Sequence, residues 1–419
     1  MLLSLSPLLK YRDFRLIFFG QFVSLIGTMI SYVCLPFQCF KLTNSPFWVG
    51  ALGAVEFIAV ILFALWGGVV ADRYNRKKVL LISESIMSVC LIILIINSLF
   101  PSPSVTVLFI VVFVLMAVTG YHRPAMDAMI QKIVKEEDYA AMGALRSASI
   151  TFAAILGPAF AGIILGHLGI VTAYLFDLMT FVFSIVAIIR LSQSYSVLHK
   201  DNDGNALDNP KIIFRDIFFG LKYARKKQVL LGTYFVDIIA MVFAYPVVLF
   251  PMLIQVWGIS EKQLGWPYSM MFAGAFFSSL LSGKVNKVVY KGRMVVFSAL
   301  FWGLSMIGFG LTNSFLWALF FLFMAGIGDG FSGLFRGIIW NEEIPNNIRG
   351  RLSSIEMISY TTGPLLGNFR AGEMAGWFGI SMSSFIGGTI CFFGIIACTC
   401  FLPVFWNYRR RHTSYKNQN

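Results

Sequence analysis

The stretch GGVVADRYNRKK, residues 67–78, decides how the rest of the chain is interpreted. It follows about twenty almost wholly apolar residues, enough to cross a bilayer as one helix. Charged residues then occupy most of its second half: Asp72, Arg73, Arg76, Lys77 and Lys78. Such a change from apolar to basic residues is typical of a helix that leaves a membrane on the cytoplasmic side.

The composition of the whole chain supports a membrane protein. Of its 419 residues, 58% are hydrophobic and only 13% are charged, and the mean hydropathy is +0.76. A soluble domain of this size would need more charge on its surface. The net charge of +13 does not indicate nucleic-acid binding, because the basic residues form short clusters between apolar runs.

The apolar runs predict twelve transmembrane helices, numbered here as spans in chain order. Glycine and proline are frequent inside them, as in helices that pack closely within membranes. The predicted spans cover roughly 14–38, 47–71, 79–99, 105–123, 143–166, 170–191, 229–256, 263–283, 293–312, 315–340, 352–372 and 378–406.

Lys and Arg residues gather in alternate loops, which predicts that both termini are cytoplasmic. The predicted outer loops hold only Lys41, Lys262 and Arg370. The fold class is therefore an all-α polytopic membrane protein with two pseudo-symmetric six-helix bundles. Its parts are an N-terminal bundle over 1–191, a central loop over 192–228 with an amphipathic helix at 212–227, a C-terminal bundle over 229–406 and a basic tail over 407–419.

Two features repeat between the halves: a glycine before the helix, Gly143 before the fifth span and Gly350 before the eleventh, and a Gly-Pro pair inside it. Gly157-Pro158 in the fifth span has a counterpart in Gly363-Pro364 in the eleventh. Paired bundles with a cavity between them are the architecture of an alternating-access transporter. The sequence therefore favours a transporter over a channel, which would need a ring of polar residues, and over an enzyme, since no catalytic or metal-ligating constellation is present.

The loop at 67–78 resembles the signature loop of the major facilitator superfamily, G-x-L-A-D-R-x-G-R-[RK]-x-x-L. Gly68, Asp72, Arg73, Arg76 and Lys77 match that motif, and Asn75 replaces its second glycine. Because Asn tolerates left-handed backbone, we expect the turn to survive this replacement. The resemblance implies a gating motif in which Arg146 pairs with Asp72 and the loop latches the outward-open state. Gly67 and Gly68 would let the second span pack against the eleventh.

The second-half copy of this loop, residues 283–293, has Lys287 where the aspartate would fall, so we assign the gating role to the first-half loop. In the fifth span, ILGPAFAG resembles the G-P-x-x-G-G motif of the exporter branch, with Ala161 in place of a glycine. We interpret Gly157, Pro158, Gly162, Gly363 and Pro364 as helix-packing residues.

Stretches along nearly the whole chain, including AYLFDLMTFVFS and IRGRLSSIEMISYTTGPLLG, resemble the enterobactin-exporter group, which also contains macrolide-efflux proteins. That resemblance implies a proton-driven exporter of a siderophore or similar small amphipathic metabolite. Multidrug or macrolide efflux is the alternative. The location implied is the bacterial cytoplasmic (inner) membrane, and a monomer that hands its cargo to an outer-membrane efflux system is expected.

Ionisable residues inside spans are functional candidates, because they are costly to bury unpaired. Glu56, Asp177 and Asp237 are the candidates for proton coupling, with structural pairing as the alternative for each. For the other charged residues, structural roles are expected. Glu84 would pair with Arg73 or Arg76, Glu356 with Arg349, and Asp329 with Arg336 as a local pair or as part of an inner gate.

Aromatic residues are abundant, with 42 Phe, 15 Tyr and 9 Trp, and most should face lipid or pack between helices. Tyr32, Phe37, Tyr245 and Tyr360 are candidates for a substrate cavity. His122 and Arg123 would meet an anionic substrate from the cytoplasm or snorkel to the interface. No metal site and no cofactor is expected. The expected partners are a small-molecule substrate, protons and the lipid bilayer.

Overall fold

The computed structural model describes residues 4–192, 223, 225–285, 288–345 and 349–409, without the side chains of 64–69, 71–73, 284 and 349–359. Over this part of the chain the backbone is helical, apart from short connections and one isolated bridge between Tyr290 and Arg409. Most of the predicted central loop, including most of its amphipathic helix, and most of the basic tail lie outside the described residues.

The N-terminal half begins with a short helix, Ser6–Lys10, that precedes the first span. The first four spans are separate helices: Arg12–Thr43, Pro46–Arg73, Arg76–Leu99 and Val105–Ile133.

The fifth and sixth spans are the two arms of Tyr139–Ile189, which is interrupted at Gly169. Gly169 has φ 78° and ψ 177°, a conformation that L side chains rarely adopt. Both ends of this segment lie beside the start of the first span: Asp138 contacts Lys10, and Ser192 contacts Asp13. The chain therefore folds back at Gly169 and crosses twice.

The C-terminal half supplies the other six spans. The seventh runs from Gln228–Ala244 through Val247–Leu249 to Phe250–Trp257 and is broken near Pro246. The remaining five spans are Gly265–Leu280, Lys291–Leu311, Phe315–Glu343, Arg349–Phe378 and Ile380–Phe401.

By length and hydropathy, nine segments of the described chain could cross a membrane. One of them, Glu136–Ile189, contains two crossings because of the turn at Gly169. The helices Gly265–Leu280 and Arg349–Phe378 supply the remaining two of the predicted twelve. We call the end of the molecule that carries Lys10, Lys77, Lys227 and Lys291 the basic end, and the other end the opposite end.

Arg370 was assigned to an outer loop from the sequence, and this was wrong. It lies inside the eleventh span, where its Nε donates to the Val242 carbonyl at 3.1 Å and its Nη1 donates to the Ser383 carbonyl at 3.1 Å. In a continuous helix the Val242 carbonyl would accept from the N–H of residue 246, but Pro246 has none. Arg370 therefore satisfies a carbonyl left over by the break and links the seventh, eleventh and twelfth spans.

The repeated Gly-Pro pair has the same packing in both halves. A Cβ at Gly157 would lie 3.0 Å from the Ile26 carbonyl, so the fifth span is pressed against the first. A Cβ at Gly363 would lie 2.8 Å from the Met241 side chain, so the eleventh span is pressed against the seventh. Each Gly-Pro helix therefore packs on the first helix of its own bundle.

The two bundles meet along two seams that we name by their helices. In the 2–11 seam, a Cβ at Gly50 would lie 2.9 Å from the Gly372 Cα, and one at Gly53 would meet the Leu365 carbonyl. In the 5–8 seam, a Cβ at Gly162 would lie 2.8 Å from the Gly265 nitrogen. Backbones this close leave no room for side chains or water, so the bundles are tightly joined from the middle of the molecule towards the opposite end.

Candidate functional site

Two of the cavity candidates meet where the bundles join. The hydroxyl groups of Tyr32 in the first span and Tyr245 in the seventh lie 3.3 Å apart. The Tyr268 ring packs edge-on against Tyr32 at 5.9 Å, and the Phe250 ring packs edge-on against Tyr268 at 4.8 Å. These four rings form an aromatic cluster shared by both bundles, in which one hydrogen bond crosses between them.

Acidic side chains flank this aromatic cluster from both bundles. Glu56 of the second span lies within electrostatic range of the Tyr32 and Tyr245 hydroxyls. Asp329 of the tenth span lies within range of Tyr245. Among the described residues, the Glu56 carboxylate forms no hydrogen bond or ion pair. The wall between the bundles is therefore aromatic and acidic.

Asp237, the second candidate for proton coupling, is paired. It is 2% exposed and forms an ion pair with Arg336 of the tenth span. Asp329 lies close enough to interact with both members of this pair. Arg336 thus reaches across to the seventh span, although the sequence had suggested a partner on its own helix. Trp340 strengthens the same contact by donating to the Thr233 hydroxyl at 2.9 Å.

Asp177, the third candidate, is buried between the first and sixth spans. It is 1% exposed and accepts hydrogen bonds from the hydroxyls of Ser31 and Thr180. A Cβ at Gly27 would lie 3.1 Å from the Asp177 Cα, so the first span is held close to this carboxylate. These contacts favour the structural alternative for Asp177.

The other two cavity candidates lie away from the aromatic cluster. Phe37 is 6% exposed and packs in the hydrophobic core, with the Lys41 ammonium 5.6 Å from its ring centroid. Tyr360 of the eleventh span is 49% exposed. The structure brings neither ring to the Tyr32–Tyr245 contact.

The signature loop is held by backbone carbonyls of neighbouring spans. Arg76 is 9% exposed and donates to the Ala128 carbonyl of the fourth span at 2.9 Å. Lys77 donates to the Ile189 and Leu191 carbonyls at 3.0 and 3.1 Å. Cations at the C-terminal ends of helices are favoured by the helix dipole. These two residues therefore fasten the start of the third span to the ends of the fourth and sixth.

The expected left-handed turn at Asn75 was wrong. Asn75 has φ −58° and ψ 111°, and its Oδ1 accepts from the Lys78 N–H at 3.3 Å. It is the N-cap of the third span, a position that Asn favours. The replacement of glycine is thus tolerated because the side chain caps a helix.

The gating motif is described only in part. Arg146 forms an ion pair with Asp127 of the fourth span. The side chains of Asp72 and Arg73 and the surroundings of Gly68 are not described, so the pairing of Asp72 with Arg146 stays a prediction.

The side chains of three other residues named in the sequence analysis are not described either. They are Lys287, Glu356 and Arg349, so the pairing of Glu356 with Arg349 stays a prediction. In the second half, Lys291 is 2% exposed and pairs with Glu342 at the end of the tenth span. This contact parallels the one between Arg76 and the fourth span.

Sequence reasoning missed a polar cluster inside the N-terminal bundle. Glu84 was expected to pair with Arg73 or Arg76, but its Oε1 accepts from Gln21 at 2.7 Å and from Ser184 at 2.9 Å, and lies 3.2 Å from His122 Nε2. The members come from the first, third, fourth and sixth spans. The only signal in the sequence was that each is a polar residue within or beside an apolar run.

The short first helix is anchored at the basic end by Asp138. This carboxylate accepts from Lys10 and Tyr11, both at 3.1 Å, and from Ser6 at 3.2 Å. The bond from Lys10 is the main cause that lowers the pKa of Asp138 below its ordinary 3.8, and the same bond raises the pKa of Lys10 above 10.5. The anchor is therefore complete between about pH 4 and pH 10, and is lost as the pH falls through the lowered pKa of Asp138.

Comparison with known proteins gives relatives over nearly the whole chain. The enterobactin exporter EntS of Shigella flexneri is 25% identical over 401 residues, covering 94% of this chain and 92% of the relative. The proteins of the same name from Escherichia coli O1:K1 and Salmonella choleraesuis are each 24% identical with the same coverage.

Solved structures of transporters share the fold. A POT family transporter in complex with 5-aminolevulinic acid matches with a TM-score of 0.72 at 14% identity, covering 94% of this chain and 97% of that one. A bacterial homologue of the iron transporter ferroportin, in an inward-facing state, matches with a TM-score of 0.70 at 14% identity, covering 93% and 98%. The family model described as transmembrane secretion effector matches residues 3–414. The chain therefore belongs to the transmembrane secretion effector family of the major facilitator superfamily.

Proposed function

We propose that this protein exports a siderophore or a similar small amphipathic metabolite across the bacterial cytoplasmic membrane, driven by protons. The observation that carries the proposal is the similarity to enterobactin exporters along 94% of the chain. The family description, a transmembrane secretion effector, agrees with export. We place the basic end in the cytoplasm because Lys and Arg gather there.

Alternating access follows from how the bundles are joined. The 2–11 and 5–8 seams close the molecule from its middle to the opposite end, so we assign this structure to a state that is open towards the cytoplasm. Rocking of the bundles about the aromatic cluster would separate the seams and expose the Tyr32–Tyr245 contact to the outside. Aromatic rings at this position suit a cargo with flat apolar groups.

Glu56 is the leading carboxylate for proton coupling. A coupling group must change its protonation state as its surroundings change, and a fixed partner opposes that change. Asp237 is paired with Arg336 and Asp177 is bonded to two hydroxyls, whereas Glu56 has no such partner among the described residues. Glu56 also lies beside the tyrosines that would contact cargo.

The proposal is tested in two steps. A deletion strain grown under iron limitation should secrete less siderophore and retain it in the cytoplasm; normal secretion would refute the cargo class. In proteoliposomes, an imposed proton gradient should drive cargo transport, and Glu56→Gln should abolish this drive while cargo still equilibrates downhill. Glu136→Gln, at an exposed position between the fourth and fifth spans, is the matched control. A rate of cargo transport by the wild type that does not change with the imposed proton gradient would refute proton coupling.

One observation favours multidrug or macrolide efflux as a second candidate. The wall between the bundles carries the carboxylates Glu56 and Asp329. The positive charge of Arg336 is neutralised by its ion pair with Asp237. An acidic and aromatic wall attracts an amphipathic cation, such as a macrolide with its amine. Overexpression should then raise resistance to cationic drugs, and siderophore secretion would not change on deletion.

We also propose that the protein works as a monomer and passes its cargo to an outer-membrane efflux system. Size determination in detergent by light scattering tests the first point. Loss of secretion in strains that lack outer-membrane channels tests the second.

A further inference from the structure

The polar cluster of Gln21, Glu84, His122 and Ser184 has no role in the cargo path described above. Glu84 is completely buried, with 0% of its side chain exposed. Three neighbours crowd onto its Oε1, and the Gln21 amide also donates to the Ser184 hydroxyl at 2.9 Å. Four spans of one bundle therefore converge on a single carboxylate oxygen.

The second oxygen of this carboxylate is left without a partner. Glu84 Oε2 is buried and accepts no hydrogen bond from any described residue. An ionised carboxylate with one unsatisfied oxygen is costly in a membrane interior. A proton on the carboxyl group, or a positive charge on the adjacent imidazole, removes that cost.

His122 gives this carboxylate a route to the surface. Its side chain is 14% exposed, while that of Glu84 is fully buried. Glu84 lies eight residues inside the third span from Arg76, about 12 Å from the basic end, and His122 lies eleven residues from Ile133 on the fourth span, about 16 Å from it. Both groups thus lie deep in the bundle, but only the imidazole is exposed, so a proton from water can reach Glu84 through it.

Among the described residues that face Glu84 and His122, no other charged group competes for this proton. The first span presents Gln21 and the sixth presents Ser184, both uncharged. Arg123, next to His122, is exposed and forms no contact with Glu84. The Arg146–Asp127 ion pair lies farther along the fourth span, where its two charges neutralise each other.

We propose that Glu84 and His122 form a proton-binding site inside the N-terminal bundle, with Gln21 and Ser184 as positioning residues. The imidazole accepts one proton from water, and the imidazolium so formed passes its Nε2 proton to Oε1 along the 3.2 Å contact. The step breaks the Nε2–H bond, forms an O–H bond and leaves both groups neutral. This inference rests on the proposed proton-driven function, for which it names a site separate from Glu56.

Histidine NMR of the purified protein in detergent tests proton binding without any cargo. The chain has four histidines, so His122→Gln assigns the His122 signals. Glu84→Gln should shift their midpoint by about one pH unit or more, as expected when a charged neighbour is removed. Asp177→Asn, which removes another buried carboxylate two turns from Ser184, should leave them unchanged.

A second variant keeps the test valid if Glu84→Gln does not fold. Ser184→Ala retains the carboxylate but removes one donor to Oε1, so it should also shift the His122 midpoint. If neither Glu84→Gln nor Ser184→Ala moves that midpoint relative to Asp177→Asn, the proton-binding site is refuted.

Transport measurements separate this inference from the proposed function. If wild-type protein shows no gradient-driven transport but the NMR coupling is present, proton-driven export fails and the proton-binding site stands. If wild type is gradient-driven, His122→Gln and Glu84→Gln should each lose that drive while cargo still equilibrates downhill. Gradient-driven transport at the wild-type rate in both variants would refute a role of this site in proton coupling.

Discussion

Replacing Arg370 with methionine should destabilise the C-terminal bundle. The guanidinium donates to the Val242 and Ser383 carbonyls, and the first of these cannot be satisfied by its own helix because residue 246 is proline. Methionine keeps much of the side-chain volume but donates nothing. The Val242 carbonyl then remains unpaired where the helix breaks.

The expected magnitude follows from this unpaired carbonyl. A buried polar group without a partner costs about 1–3 kcal/mol, which is roughly a 5- to 150-fold change in the ratio of folded to unfolded protein. Removal of a buried cation can also be favourable, because its desolvation cost disappears. Arg370 is only half-buried, so its desolvation cost is smaller than that of a fully buried cation, and we expect the loss of the hydrogen bonds to outweigh it.

Equilibrium unfolding in mixed detergent micelles, followed by tryptophan fluorescence, measures the change in free energy. Arg370→Lys should recover part of the loss, because one ammonium can reach one carbonyl but not both. Pro246→Ala restores an N–H near Val242, so Arg370→Met should cost about 1 kcal/mol less in that background. Wild-type stability of Arg370→Met, or strict additivity with Pro246→Ala, would refute the reasoning.

Three further predictions concern the gates and the anchor. Gly50→Val should push the 2–11 seam apart and reduce transport at least about tenfold, whereas Gly376→Val, whose Cβ would meet nothing within 4 Å, should not. Asp138→Asn should release the helix that carries Lys10, so limited proteolysis should cut the N-terminus faster at pH 7; wild type should match it only below about pH 4. Asp72→Asn should impair transport more than membrane insertion, as measured by efflux at equal expression, and unchanged efflux would reduce the loop to a topological anchor.

Local sequence was sufficient for the fold class. Membrane insertion depends on the summed hydropathy of about twenty consecutive residues, so each span could be located without knowledge of its neighbours. The turn at Gly169 lies between the predicted fifth and sixth spans, whereas the break near Pro246 lies inside the predicted seventh span and was not predicted. The superfamily could be predicted from residues 67–78, because that motif is short and contiguous.

The partners of the buried polar residues could not be predicted in this way. Glu84 was expected to meet nearby Arg76, but the fold gives it partners 63, 38 and 100 positions away in Gln21, His122 and Ser184. Arg370 was interpreted as a loop residue because arginine has a low hydropathy. Its hydrogen-bond partner, the Val242 carbonyl, lies 128 positions earlier and could not be identified from the local sequence.

The sequence by itself determined that this chain crosses the membrane many times and which superfamily it resembles, because hydropathy and short motifs are local properties. Only the tertiary structure decided which charges are neutralised, which carboxylates retain an unpaired oxygen and where the bundles touch. The physical reason is that a buried polar group takes whatever donor the neighbouring helix offers, and that neighbour is set by packing along the whole chain.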